Sequence, residues 1–509
     1  MLNSSSQIKL GAMISYIAIV FNIIVGFLYT PWMIKQIGKS DYGLYILVTA
    51  FLSYFVMDFG LGQTIARFLS KYRANNEPEK INQMLGLTSK FYLLINGLIL
   101  ITLIVVYFFI ENIFIELSPV EIEKFKIVYL IAGGFSLISF PFMPLDGVLI
   151  AYERFVLLKL CDIISKVGIV ILMIIALLLG YKLYALVAIN AAIGILIIGI
   201  KFFYLSKKTP IKIDFGFKSK KLLGELVKFS FWVSIIGIAQ RLLINIAPFI
   251  LGIVSGTEQI AIFSIGIIIE GYTWTLAHAL NGLFLPKVSQ LDTQKNNLHE
   301  ITNLMIRVGR IQLILMGLLI IGLVVFGQEF VILWMGSGFS ESYYVILLLI
   351  LPGFVTLTQE IAYTYLFVIN ELRYRAVIFV GASILSVIIS FILAPHYGAM
   401  GCAIGIFSAT MLCHVVGMNF IYWKKIKLEI PRFFKECYYS LIGAFVLTLS
   451  VGFLLNYFLP AETLIRFSCK VVLLSLFYII SVWFTGLRAD EKELFKSVLL
   501  KLAAKFKNK

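Results

Sequence analysis

Seven residues of one apolar segment stand at steps of four, three, four, four, three and four: Ser230, Ser234, Gly237, Arg241, Asn245, Pro248 and Gly252. At 3.6 residues per turn that spacing puts all seven on one helical face. The rest of the segment is Ile, Leu, Phe, Val, Ala and Trp, with Gln240 the exception. An arginine amid such a run is costly in hydrocarbon, so it is expected to face a bundle interior or a watery cavity. Its planar fork matches phosphate oxygens, so the chemistry expected of this face is anion binding.

Glu270 stands midway along the next apolar segment, in register with Gly266, Thr273, Ala277 and Asn281. Gly11, Ser15, Ala18, Asn22, Gly26 and Thr30 make a similar stripe on the first segment. The three stripes predict a central cavity, with Arg241, Asn245, Glu270, Asn22 and Asn281 toward the substrate. Glu270 either pairs with Arg241, as a structural pair, or binds a coupling cation. Asp58 and Glu360, with Glu270, are the residues expected to couple transport to an ion. Asp58, Asp146, Asp162, Lys166 and Glu360 lie near the ends of their segments, where snorkelling to the interface is the plainer reading. Asp162 and Lys166 are also four apart, which suits a pair on one helix.

What must position these residues is a set of membrane helices. The chain has 509 residues, 60% of them hydrophobic and only 14% charged, against about 25% charged in a soluble domain. The apolar residues fall in blocks of about 20, the length that crosses a bilayer as a helix. The blocks are 11–34, 43–63, 84–110, 127–150, 162–180, 183–204, 229–253, 260–283, 309–333, 343–369, 377–394, 401–423, 437–459 and 467–486. The first, at 11–34, is too long for the apolar region of a signal peptide and reads as an uncleaved span. With both termini in the cytoplasm, 31 Lys and Arg fall in inner segments and 6 in outer ones. The positive-inside rule then fixes the orientation.

The formal net charge of +16 is explained by this topology, and nucleic-acid binding is not expected. Outer loops are too short for a catalytic domain. Gly38-Lys39-Ser40 ends like a phosphate-binding loop, but position 33 is Met and the segment follows a helix. His299-Glu300 does not continue as a zinc motif. The five cysteines form no CxxC pair and read as small hydrophobes. The chain is therefore expected to be no enzyme, to hold no cofactor or metal, and to draw on an H+ or Na+ gradient or the membrane potential, on the substrate's own gradient, or on a partner ATPase.

The spans divide into two halves of six and an extra pair. Thr30-Pro31-Trp32-Met33 ends the first span and Asp41 follows Pro31 by ten residues. Ala247-Pro248-Phe249-Ile250 ends the seventh and Glu258 follows Pro248 by ten. Tyr152-Glu153-Arg154-Phe155 and Glu371-Leu372-Arg373-Tyr374 follow the fourth and tenth spans. Such a parallel repeat places a site between lobes in many transporters. The expected domains are an N-terminal lobe at 1–204, a basic amphipathic linker at 205–228, and a C-terminal lobe at 229–423. Two further spans follow at 424–486, then a basic tail at 487–509. The tail, with Phe495, Val498, Leu499, Leu502 and Phe506 at helical spacing among lysines, reads as an interfacial helix on anionic lipid. The fold class is an all-α polytopic membrane protein of about fourteen transmembrane helices.

Tyr29-Thr30-Pro31-Trp32-Met33-Ile34, Gly38-Lys39-Ser40-Asp41-Tyr42-Gly43-Leu44-Tyr45, Asp58-Phe59-Gly60-Leu61-Gly62 and Arg67-Phe68-Leu69-Ser70-Lys71-Tyr72 resemble one family. This is the polysaccharide transporter (Wzx-type) family of the multidrug/oligosaccharidyl-lipid/polysaccharide exporter superfamily. The layout of the whole chain is similar to it, while the specific motifs lie within 29–72. The resemblance implies a flippase in the bacterial cytoplasmic (inner) membrane. Its substrate would be a polyprenyl-pyrophosphate-linked glycan for surface polysaccharide such as O-antigen or capsule, moved by alternating access. Membrane lipids, and polysaccharide polymerase machinery, are the other expected partners. The alternative is a cation-coupled multidrug-type exporter of the same superfamily, in which acidic groups would dominate the cavity and twelve spans are usual.

Overall fold

In hydrocarbon each peptide N–H and C=O must find its partner within its own segment, so long apolar runs become helices. The computed structural model describes residues 4–55, 61–209, 211–278, 284–292, 297–489 and 491–493, with backbone alone at 4–20, 63, 225, 227–230 and 276–278. Among the described residues there are helices and turns and no strand. Asp58, Asn281 and the expected tail helix beyond 493 lie outside them.

Ten helical segments among the described residues are long and apolar enough to cross a membrane. Their outer surfaces are apolar, as lipid requires: Phe108 is 74% exposed and Phe484 75%. The chain is an all-helical multi-pass membrane protein. One of the ten, Leu372–Lys425, contains both runs expected at 377–394 and 401–423. The break between them is Gly398, at φ 52°, a left-handed corner that only glycine adopts cheaply.

Two local differences from the sequence reading have physical causes. The expected span at 43–63 is not one helix, because the helix Lys39–Ser53 stops and another, Leu61–Ala74, starts beyond residues 56–60. Leu61–Ala74 carries Arg67, Lys71 and Arg73 and is amphipathic rather than apolar throughout. The second half of the basic linker is helical from Lys220, but it runs without interruption into the seventh span as Lys220–Val254. Ser219 starts that helix by accepting from the Leu222 amide at 3.2 Å. Residues 211–219 lie outside helix and strand, with a turn at 215–216.

The described chain groups into two compact units. The first comprises 1–265 and 372–409, the second 266–371 and 410–509.

In the first unit the most extensive helix packing is between Lys220–Val254 and Leu372–Ala409. The Gly398 corner is held by Gln259, whose Oε1 accepts from the Ala399 amide at 2.8 Å. A second focus lies where the helices beginning at Lys39, Pro119 and Thr257 meet. Ser118 opens Pro119–Ser139 with a capping box: its hydroxyl accepts from the Glu121 amide, and Glu121 Oε2 accepts from the Ser118 amide at 2.9 Å. The other oxygen of Glu121 accepts from Ser40 at 2.5 Å and Thr257 at 2.6 Å. Lys124 pairs with Asp41 at 2.5 Å and Lys39 with Glu258 at 3.3 Å. The two acids that mark the sequence repeat thus each pair with a lysine where these helices meet. Gly43 makes this possible, because a Cβ there would overlap the Thr257 carbonyl.

In the second unit Asn297–Met335 packs on Ile430–Phe458. Arg310, 1% exposed, crosses this junction. Its Nε and Nη2 donate to Glu491 at 2.5 and 2.8 Å, and it also donates to Ser440 and to the Glu436 and Gly486 carbonyls. Lys470, 2% exposed, donates to Glu329 at 2.6 Å and Asn456 at 2.7 Å.

Candidate substrate site

The seventh span carries Arg241 and Asn245 on consecutive turns of Lys220–Val254. Both reach the same neighbour. Arg241 donates through Nη1 to the backbone carbonyl of Ser53, and Asn245 Nδ2 donates to the Ser53 hydroxyl at 3.0 Å. The Ser53 hydroxyl in turn donates to the Ala50 carbonyl at 2.6 Å. Tyr54 returns a bond to the Arg241 carbonyl at 3.3 Å.

Ser53 is the last residue of Lys39–Ser53, where the chain goes on as turns in which the Tyr54 and Phe55 amides donate to the Phe51 and Leu52 carbonyls at 3.3 and 2.9 Å. The aligned peptide dipoles leave that end partly negative. A guanidinium is therefore placed at the C-terminal end of this helix, within the apolar run expected at 43–63. It carries N–H donors in a rigid fork, and the Ser53 carbonyl accepts from Nη1. That arrangement fixes the orientation of a cationic group, which is what a binding site for a large anion needs.

Further along the same stripe, a Cβ at Gly252 would stand 3.2 Å from Leu47 and Phe114. Pro248 is buried. This end of the stripe is a close helix contact, as small residues allow. The stripe therefore joins two uses: polar groups at 241 and 245, and tight packing at 248 and 252.

Asn22 is half-buried on Ser4–Ile37, a helix that packs on Phe155–Leu178. Near it Tyr29 donates to the Met173 sulfur at 3.1 Å. Asp146 pairs with Lys201 at 2.6 Å, and Asp162 pairs with Lys159 at 3.2 Å.

Glu270 belongs to the second unit. It accepts a hydrogen bond from the Trp274 indole, one turn on. In the same unit Glu360 is 5% exposed. It begins the helix Glu360–Val368 after a tight 3-10 turn, Leu357–Gln359, that interrupts the tenth span. Around the interruption Gln359 Nε2 donates to Asn419 Oδ1 at 2.7 Å, Thr358 Oγ1 lies 2.7 Å from the Tyr438 hydroxyl, and Tyr438 donates to the Phe354 carbonyl at 2.9 Å. Broken helices with buried polar side chains recur at transporter ion sites.

The sequence reading passed over Arg310 and Lys470. Both sit in apolar segments with a single carboxylate partner far away in sequence, Glu491 and Glu329. Lys470 carried a signal, since it lies within the run 467–486, and its burial follows the rule that an ionisable group inside a span finds a partner.

The family model described as "Polysaccharide biosynthesis protein" matches residues 9–269, just over half the chain, and includes the motifs at 29–72. A search of curated protein sequences finds no significant match. Among solved structures, a lipid II flippase, MurJ, in an inward closed conformation is similar over 92% of this chain and 97% of its own, with TM-score 0.71 and 16% identity. An inward-facing multidrug resistance MATE transporter of the MOP superfamily is similar over 80% of this chain and 98% of its own, with TM-score 0.61 and 15% identity. The outward-facing conformation of such a transporter gives TM-score 0.56 at 14% identity, over 83% of this chain and 96% of its own. The fold is the one these flippases and transporters share.

Proposed function

The chain belongs to the polysaccharide biosynthesis protein family, and from that premise we propose that it is a flippase for polyprenyl-pyrophosphate-linked oligosaccharide. It carries the lipid-linked glycan from the cytoplasmic to the outer leaflet of the bacterial inner membrane, with both termini in the cytoplasm. Two lobes, 1–204 and 229–423, alternate access, within a set of about fourteen spans. The headgroup passes through the protein while the isoprenoid tail stays in lipid. Arg241 meets the pyrophosphate, supported by Asn245 and with Asn22, Asn281 and Glu270 lining the route. Glu270, Asp58 and Glu360 are the residues through which H+ or Na+ would couple.

The observation that carries this reading is a cation, Arg241, held in a span by the Ser53 carbonyl in a family of polysaccharide biosynthesis proteins. The solved structure with TM-score 0.71 is itself a lipid II flippase. A multidrug-type exporter would share the fold, but a guanidinium at the site suits an anionic cargo better than a cationic one.

The test is made in the source organism with the gene removed. Lipid-linked glycan should accumulate on the cytoplasmic leaflet, and the matching surface polysaccharide should disappear. Normal surface glycan with new drug sensitivity would point to the exporter instead.

A further inference from the structure

A cavity of about 500 Å³ lies in the first unit, away from Arg241, lined by Leu85, Leu93, Phe142, Val148, Phe202 and Phe215 among others. That is within the roughly 300–1,000 Å³ of small-molecule sites. Its walls come from the helices Pro78–Ile113, Pro144–Ala151 and Leu183–Lys208, the turn Phe140–Phe142 and the linker after residue 210.

The linker residues form a strap. Ile211, Ile213 and Phe215 line the cavity, while Lys212 and Asp214 between them are exposed and do not. This is the period-two alternation of an extended chain with one apolar side. The strap is tied to the helix Pro78–Ile113 at several points. The Lys212 amide donates to Asn82 Oδ1 at 2.9 Å and the Asp214 amide to the Asn82 carbonyl at 3.2 Å. Lys90 donates to the Phe217 carbonyl at 3.1 Å. Gly86 lies under the strap, where any Cβ would overlap the Asp214 carbonyl.

The lining is more apolar than its residue types suggest. Ser206 and Thr209 spend their hydroxyl hydrogens on the Phe203 and Leu205 carbonyls, at 2.9 and 2.6 Å. Phe215 remains 53% exposed and Ile213 44%, a cost in water that a hydrocarbon chain would remove. Lys207, Lys208 and Lys212 adjoin the lining residues in sequence. The nearby acids are engaged: Asp146 with Lys201, and Asp214 with the Gly216 amide. Asp214 keeps its charge, so the rim sets Lys201, Lys207, Lys208 and Lys212 against Asp146 and Asp214 and is net basic beside an apolar interior.

We propose that this strapped cavity binds an anionic phospholipid, one acyl chain inside and the phosphate against the rim lysines. Apolar walls select the chain, and the lysines select an anionic over a zwitterionic headgroup. The site is separate from the Arg241 group and does not depend on the flippase reading.

The experiment uses the purified full-length protein in detergent. Thermal unfolding is followed against phosphatidylglycerol, phosphatidylethanolamine and a polyprenyl pyrophosphate, with native mass spectrometry counting bound molecules. Phosphatidylglycerol should stabilise saturably and phosphatidylethanolamine far less, since a ligand of the folded state raises its stability by mass action. Leu145 also lines the cavity, so Leu145→Trp, which fills it, and Gly86→Ala, which lifts the strap, should each weaken binding about tenfold. If either variant fails to fold, the surface change Lys208→Gln with Lys212→Gln should still weaken phosphatidylglycerol several-fold. Equal binding of both phospholipids, unchanged binding in Leu145→Trp, or saturable binding of polyprenyl pyrophosphate alone would each overturn the proposal.

Discussion

Arg241 donates a hydrogen bond to the backbone carbonyl of Ser53, at the end of the helix Lys39–Ser53. The two residues are 188 positions apart, so the bond joins the seventh span to the end of the second-span helix. It gives the guanidinium a fixed direction while occupying one of its donors. Arg241→Lys retains the charge and a donor but loses the fork, so transport should fall to a fraction of wild type. Arg241→Ala removes both and should abolish transport. Loss of the charge-assisted bond should also lower stability by about 1–3 kcal/mol. Transport and unfolding measured on the same preparations separate the two effects, and equal transport by Lys and Ala variants would remove the role of charge.

Gly43 against Thr257 tests the ionic corner of the first unit. An alanine there would force its Cβ into the Thr257 carbonyl, which is backbone and gives way only if the helices part. Overpacking of this kind costs about 1–3 kcal/mol. Gly43→Ala should therefore lower the melting temperature by several degrees. Gly271→Ala, which meets nothing within 4 Å, should leave it unchanged or raise it.

The Arg310–Glu491 pair tests the second unit. Glu491 is only 11% exposed in its side chain and Arg310 1%. Removing one partner leaves the other charge buried, at about 3–5 kcal/mol. Arg310→Met alone should destabilise strongly, and Arg310→Met with Glu491→Leu should recover much of the loss. A double variant as unstable as the sum of its singles would show that the pair is not coupled.

The junction of His299, Glu429 and Arg432 predicts an acid limb. Hydrogen bonds from Arg432 and His299 hold the Glu429 carboxyl below its ordinary value of 4.5. A carboxylate with a lowered folded-state pKa adds stability above its unfolded value and loses it as pH falls through the folded one. Stability should thus decline below about pH 4.5, with a smaller decline in Glu429→Gln. The group is half exposed and screened, so the difference should stay under about 1 kcal/mol. Identical acid limbs for the two proteins would exclude this contribution.

Much of the fold was legible because lipid imposes a simple rule on composition: blocks of apolar residues become helices. Arg241 and Asn245 could be found from spacing alone, since a helix face is local. Their meeting with Ser53 could not, because it depends on where the second-span helix stops. That stop was hidden, as 43–63 reads as one apolar run even though Ser53 and Leu61 fall in separate helices. Arg310 was passed over for a related reason. It stands at the edge of the run 309–333, where arginines usually orient the chain, and its carboxylate partner lies 181 residues away. The strap at 211–215 shows the same limit. Its alternation is local, but its attachment to Asn82 and Gly86 is tertiary.

The most direct test of the central claim is flipping in reconstituted vesicles. Purified protein is placed in liposomes with a polyprenyl-pyrophosphate-linked oligosaccharide of the source organism, and access to the opposite leaflet is read with a membrane-impermeant glycan-modifying enzyme. Wild type should move the lipid across, and Arg241→Ala, shown to be folded and inserted, should not. Vesicles in which Arg241→Ala flips the lipid as fast as wild type would contradict the anion site. Vesicles in which wild type flips none of it, while exporting an organic cation, would contradict the flippase itself.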